Sequence, residues 1–166
     1  MIGIDLRNVT ESSDLNLLPP GGYICKIVNV TDVASKKYLA IEYDIADGEY
    51  KGYFQKKNRE TGKWTGCFNR SYKSEATLPF FKSFITAVQE SNRNFRYDDT
   101  ASYFDETELI DKYIGLVIGE EEFKGKDGKI KKGLQVRETR SVDKIRMGDF
   151  KMPKLKKLEG AEAENI

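Results

Sequence analysis

A mainly β domain, five antiparallel strands with one helix between the third and the fourth, is what this 166-residue sequence predicts. Three observations predict it. Gly22 to Lys57 reads as three short strands in succession. Leu78 to Val88 carries an apolar stripe at helical spacing. Tyr113 to Thr139 reads as two strands joined by Asp127-Gly128.

In chain order, Met1 to Pro20 is polar and acidic and ends in Leu17-Leu18-Pro19-Pro20-Gly21-Gly22, a lead-in arm closed by a turn. Ile24 to Val30 is rich in β-branched residues and forms the first strand. After a polar break at Thr31 to Lys37, Leu39, Ile41, Tyr43 and Ile45 alternate with Ala40, Glu42 and Asp44, the period-2 mark of a strand with one buried face. Asp47-Gly48 then supplies a tight turn. A third strand is expected with Tyr50, Tyr53 and Phe54 among Lys51, Lys56 and Lys57; Phe54 is assigned to the core and Tyr53 to the surface, because neighbours in a strand face opposite ways. Asn58 to Lys73 has turn signals at Thr61-Gly62 and Thr65-Gly66 and reads as an extended excursion or hairpin.

The helix starts with Thr77 as N-cap and Pro79 in the first turn, where a missing N–H costs nothing. Leu78, Phe81, Ile85 and Val88, with Phe84 alongside, form its core stripe, and Asn92 stops it. Asn94 to Asp111 is acidic and irregular, with a helical turn near Glu106 to Ile110. Tyr113 to Phe123 and Ile130 to Thr139 are the last two strands, and Val142 to Ile145 adds a turn. Met147 to Lys157 is a basic exit before Leu158 to Ile166, an acidic tail. The organisation is therefore an arm over 1–21, a domain over 22–146, and the exit and tail over 147–166.

Composition narrows the chemistry. A hydrophobic share of 39% beside a charged share of 33% fits a folded, soluble domain, and no apolar run nears the ~20 residues that cross a bilayer. The first 20 residues have no leader pattern, and two distant cysteines fit free thiols in a reducing cytoplasm. With no histidine, a Ser-His or Cys-His nucleophile is excluded, and a zinc site is not expected. No metal or cofactor is expected, and the chain reads as a non-enzyme. Asp44 with Glu49 and Lys51 has the residue types of a magnesium nuclease site. Those carboxylates flank a two-residue turn, however, with Asp44 on the polar side of its strand, so pairing of hairpin charges accounts for them.

The net charge of +1 hides strong segregation. Lys51 to Lys73 holds seven Lys/Arg and one acid, a local +6, whereas Asp98 to Glu122 holds nine acids and one lysine, a local −8. Lys124 to Arg140 and Lys144 to Lys157 each come to +5. Such blocks matter more to a polyanionic partner than the total does.

Strand, strand, strand, helix, strand, strand is the order of an OB-fold-like barrel, in which ligands lie across strands 2 and 3 between the 1–2 and 4–5 loops. The corresponding residues are Lys36 and Lys37 from the 1–2 loop, then Tyr38, Tyr50, Lys51, Tyr53, Lys56 and Lys57 from strands 2 and 3. Arg59, Lys63, Trp64, Arg70 and Lys73 follow in the excursion, with Lys126, Lys129, Lys131 and Lys132 in the 4–5 loop. Aromatic rings stack bases for about 1–3 kcal/mol each, and lysines neutralise phosphates without reading sequence. This combination predicts single-stranded DNA binding. The alternative is a non-catalytic adaptor whose basic face docks an acidic partner, with the rings serving only as core.

The blocks LPPGGYICKIVNVTDV, YLAIEYDIADGEYKGYF, RSYKSEATLPFFKSFITAVQESN, GLVIGEEEF and IRMGDFKMP resemble a family of small phage and prophage proteins of Gram-positive bacteria. The resemblance spans roughly Leu18 to Pro153. It implies an OB-fold and sequence-independent single-stranded DNA binding in phage replication or recombination, in the cytoplasm of the bacterial host. It also implies partners among phage or host replication proteins, reached through an acidic tail. Glu159, Glu162 and Glu164 match that tail in charge, without the aspartates and terminal Pro-Phe of the bacterial housekeeping proteins. A homo-oligomer is compatible with this reading.

Overall fold

The structure, a computed structural model, describes residues 1–7 and 18–158. Residues 8–17 of the expected N-terminal arm, and the acidic tail with Glu159, Glu162 and Glu164, lie outside the described residues. Five strands form one antiparallel sheet, β1 (Gly21–Val33), β2 (Tyr38–Ile45), β3 (Cys67–Ser71), β4 (Tyr113–Lys124) and β5 (Ile130–Arg140), in the order β3-β2-β1-β4-β5. Helix α1 (Tyr53–Thr61) joins β2 to β3, and α2 (Leu78–Ser91) lies between β3 and β4. A 3₁₀ turn over Glu106–Leu109 precedes β4, and a short α3 (Val142–Arg146) follows β5. The sheet is open, since no ladder joins β3 to β5, and its order is compatible with an OB-like fold.

β1 is the strand that the sheet turns on. Its first half pairs with β4, Gly21 opposite Ile118 through Lys26 opposite Tyr113, and it pairs with β2 from Cys25 to Val33. Val28 is an extra residue in the β1–β2 ladder, so inward parity switches from Cys25 and Ile27 to Val30. Arg137 is the corresponding extra residue of β5, opposite the Val117–Ile118 step. A bulge bends its strand and adds twist, and two of them coil the sheet around one core. That core joins Ile27, Ile41, Tyr43, Leu116 and Ile118 to Phe84, Ile85 and Val88 of α2, with Leu18 fully buried among them.

The outer face of β4 is covered by the C-terminal segment. A side chain at Gly115 would meet Ile145, and one at Gly22 would meet Phe150, so both positions are kept bare for close packing. Beyond Ile118 the edge of β4 has no partner in β1. Lys156 takes that place, donating its N–H to the Glu120 carbonyl (3.0 Å) and accepting from the Glu122 N–H (2.8 Å).

Two expectations need correction. The third strand is not at Tyr50 to Lys57. Residues 47–52 are turns, 53–61 are helical, and the third strand is Cys67–Ser71, within the stretch read as an excursion. Gln55, Lys56, Lys57, Arg59 and Glu60 are good helix formers, and glycines with left-handed φ at Gly52 (76°) and Gly62 (76°) bracket them. Phe54 is in the core, as expected, but from a helix. Asp44 is the second correction. It is buried, 9% exposed, rather than on a polar face, and its Oδ1 accepts from the N–H groups of Ile45 (2.8 Å) and Phe54 (2.8 Å) while Oδ2 accepts from Gln55 (3.2 Å). Gly52 has no side chain to cap α1; the carboxylate of Asp44 does it from the neighbouring strand, with its charge at the positive end of the helix dipole.

The helix α2 is where its stripe placed it. Thr77 occupies the N-cap position, but its hydroxyl bonds Ser74 instead of the helix. Asn92 ends the helix and splints it to β4: its side chain donates to the Tyr113 carbonyl (2.9 Å) and accepts from the Tyr113 N–H (2.9 Å).

Candidate nucleic-acid interface

The basic and aromatic residues singled out from sequence fall into three groups. The first surrounds the β1–β2 turn. Lys36 and Lys37 are exposed there, with Lys37 at φ 55°. The Lys37 carbonyl accepts from the Tyr72 N–H (3.0 Å), which brings Lys73 to the turn. Tyr38 pairs with Ser71 across the β2–β3 ladder, and Arg70 stands opposite Leu39. Arg70 lies over the Phe68 ring, 4.9 Å from its centroid, and burial lowers its pKa. Its buried Nε has no hydrogen-bond partner in the structure.

The second group is α1 and its lead-in. Tyr50, Lys51, Tyr53, Lys56 and Lys57 line an open cavity of about 200 Å³ together with Glu49 and Glu60. Lys57 Nζ is 5.9 Å from the Tyr53 ring centroid, a cation–π distance. Tyr50 meets Tyr23 edge to face at 6.2 Å. Burial, then neighbouring Tyr50, pushes the Tyr23 hydroxyl up to about 12, and burial also raises Tyr53. Arg59 and Lys63 are exposed further along. Trp64 is half-buried, and its indole Nε1–H donates to the Tyr43 (3.2 Å) and Gly66 (3.1 Å) carbonyls. Trp64 thus closes the end of the β2–β3 ladder, and its polar edge is committed to the fold.

The third group is the tip of the β4–β5 hairpin. Lys126 and Lys129 flank Gly128 (φ 79°) in the turn, and Lys131 and Lys132 open β5. All four are exposed, and Lys131 pairs with Asp127 at 3.8 Å. Because β1 begins opposite Ile118, the hairpin projects beyond its first residue from Gly119 onward, toward the end of the sheet where Tyr23 and Tyr50 meet. The second and third groups therefore share the starting end of β1. The first lies at its other end.

Sequence reasoning missed two surfaces. Arg93, Arg96 and Arg146 line a groove of about 690 Å³ with Tyr113, mixed with Asp47, Glu90 and Asp143. A second groove of about 450 Å³ is lined by aromatic rings from α2 and the loop after it. The aromatic residues Phe95, Tyr97, Tyr103 and Phe104 inside the acidic block were its signal. Among the described residues no group of three carboxylate or thiol side chains is placed to hold a metal, and no helix is long and apolar enough to cross a membrane. Comparison with protein-family models and with characterised proteins finds no match.

Proposed function

We propose that this protein binds single-stranded DNA without sequence preference, through the end of the sheet that carries α1 and the β4–β5 hairpin. The observation that carries this reading is one open cavity holding Tyr50 and Tyr53 with Lys51, Lys56 and Lys57. Neutral rings beside ammonium groups can stack a base and hold its phosphate together. Lys126, Lys129, Lys131 and Lys132 extend the positive field along a strand. The resemblance to phage single-stranded DNA-binding proteins agrees with this, and with a place in phage replication or recombination inside a bacterial host cell. No reaction is assigned.

The test is anisotropy of labelled oligo(dT) across a salt series, with duplex DNA as the control. Binding that weakens steeply with salt, prefers the single strand and is lost in the triple variant Lys51→Ala, Lys56→Ala, Lys57→Ala supports the reading. No anisotropy change at low salt sinks it. One observation favours the adaptor reading, in which an acidic protein docks on the same lysines: Trp64 has its indole N–H tied to the backbone and is less free to stack. Poly-glutamate that binds the wild type as tightly as oligo(dT) would select that alternative.

A further inference from the structure

We propose that the aromatic groove between the start of α2 and the 97–106 loop docks a protein segment in which one apolar or aromatic side chain is flanked by lysine or arginine. The groove adjoins the first basic group, since Tyr72, which lines it, donates its N–H to the Lys37 carbonyl, but it shares no lining residue with the α1 cavity that carries the DNA-binding reading, so it stands without that reading.

Its floor is a fixed lattice of rings. Phe84 in the core meets Phe81 at 6.4 Å, Phe81 meets Phe104 at 6.0 Å and Tyr72 at 6.2 Å, and Phe104 meets Tyr97 at 5.9 Å, all edge to face. The loop that carries two of these rings is pinned. Gln89 of α2 accepts from the Tyr97 N–H (2.9 Å), and Asp98 and Asp105 each bond the backbone N–H and hydroxyl of the threonine two residues on. A site built this way exists before a partner arrives, so little ordering is needed on binding. Above the floor, Tyr103 is 80% exposed and Leu78 46% exposed, and both line the groove. An exposed tyrosine beside a preformed apolar hollow is the composition of an interface anchor. The volume of about 450 Å³ lies within the range of roughly 300–1,000 Å³ common to concave binding sites.

Charge selects the occupant. Among the described residues no lysine or arginine lines the groove, while Asp32 and Glu106 do. Asp98, Asp99, Asp105 and Glu108 stand exposed in the same stretch, where Arg96 is the one exposed base beside Tyr97, so acids outnumber it. A nucleic acid is repelled by such a rim, and an acidic peptide equally so. A cationic segment is attracted, and its apolar side chain has Phe81, Tyr97 and Phe104 to pack on.

The probes are three fluorescein-labelled octapeptides, each with a single Leu, Phe or Trp among lysines, and their glutamate counterparts, with amide shift mapping on the full chain. At least one lysine peptide is expected to bind saturably, shifting resonances of 97–106 and the first turns of α2, while the glutamate peptides do not bind. Tyr103→Ala and Glu106→Gln, two changes outside the core, should each weaken binding by about fivefold or more. The proposal is overturned by absence of binding up to millimolar peptide, by shifts confined to α1 or the hairpin tip, or by affinity indifferent to both variants.

Discussion

The two connections that carry the candidate interface are built on opposite plans. The β4–β5 hairpin is local: residues 124 to 130 fold back on themselves, Gly128 takes the left-handed φ, and a ladder from Lys124–Ile130 to Gly115–Arg140 follows from that turn. The β2–β3 connection is not local. Its helix α1 is capped by Asp44, nine residues before the first helical position, and its return strand is anchored where Trp64 bonds Tyr43 and Gly66. The first plan ties affinity to a tongue that can be altered without touching the core. The second plan makes Tyr50, Tyr53 and the α1 lysines depend on a carboxylate buried in another element.

Breaking the buried carboxylate should have the largest effect. Asp44→Ala leaves the Phe54 and Gln55 N–H groups without their acceptor and uncaps α1, and about 3 kcal/mol of stability should go with it. Urea unfolding measures the loss, and α1 amides should exchange fastest in native-state hydrogen exchange. Protection of α1 equal to wild type would show that another group caps the helix. Gly66→Ala comes next. Its methyl would stand 2.5 Å from the Tyr43 carbonyl and 2.7 Å from the Phe54 ring, so overpacking should cost about 2 kcal/mol by the same unfolding assay. In the hairpin the counterpart, Gly128→Ala, meets open space and pays only for its φ, about 1 kcal/mol, with the increased exchange confined to the tip. Loss of α1 protection in that variant would erase the distinction between the two plans. The smallest effect is chemical. Burial raises the pKa of the Cys67 thiol and raises that of fully buried Cys25 further. Ellman's reagent at neutral pH should therefore label Cys67 more slowly than a free thiol and leave Cys25 untouched until the chain unfolds. Equal labelling of both would mean that the β1–β2 core opens readily.

What the sequence made legible follows the same division. The β4–β5 hairpin, α2 and the alternating β2 were readable because their signals lie within a few residues: Asp127-Gly128, Pro79 with the Phe81–Val88 stripe, Leu39 to Ile45. The third strand lies later than its residue types suggest because Tyr50, Tyr53 and Phe54 weigh toward β structure, while the cap that makes the segment helical is on β2. At five residues, with Asn69 and Arg70 inside it, β3 is held by pairing with β2 and carries little strand signal of its own. The same limit applied to the interface. Residue types of the lysine groups could be read, but their partition between the two ends of β1 depends on register. The aromatic groove joins Tyr72 to Tyr103 through contacts made only after α2 has packed.

The strand position taken by Lys156 has a consequence for assembly. It is filled by a residue more than thirty positions further along the chain, so while the chain is synthesised and collapses, the backbone of Glu120 to Glu122 is an open template for another chain. Three consecutive glutamates occupy that stretch, and two copies approaching edge to edge would bring six negative charges together. Lys156 and Lys157 carry the opposite sign, so the template rejects its own kind and accepts the segment that completes it.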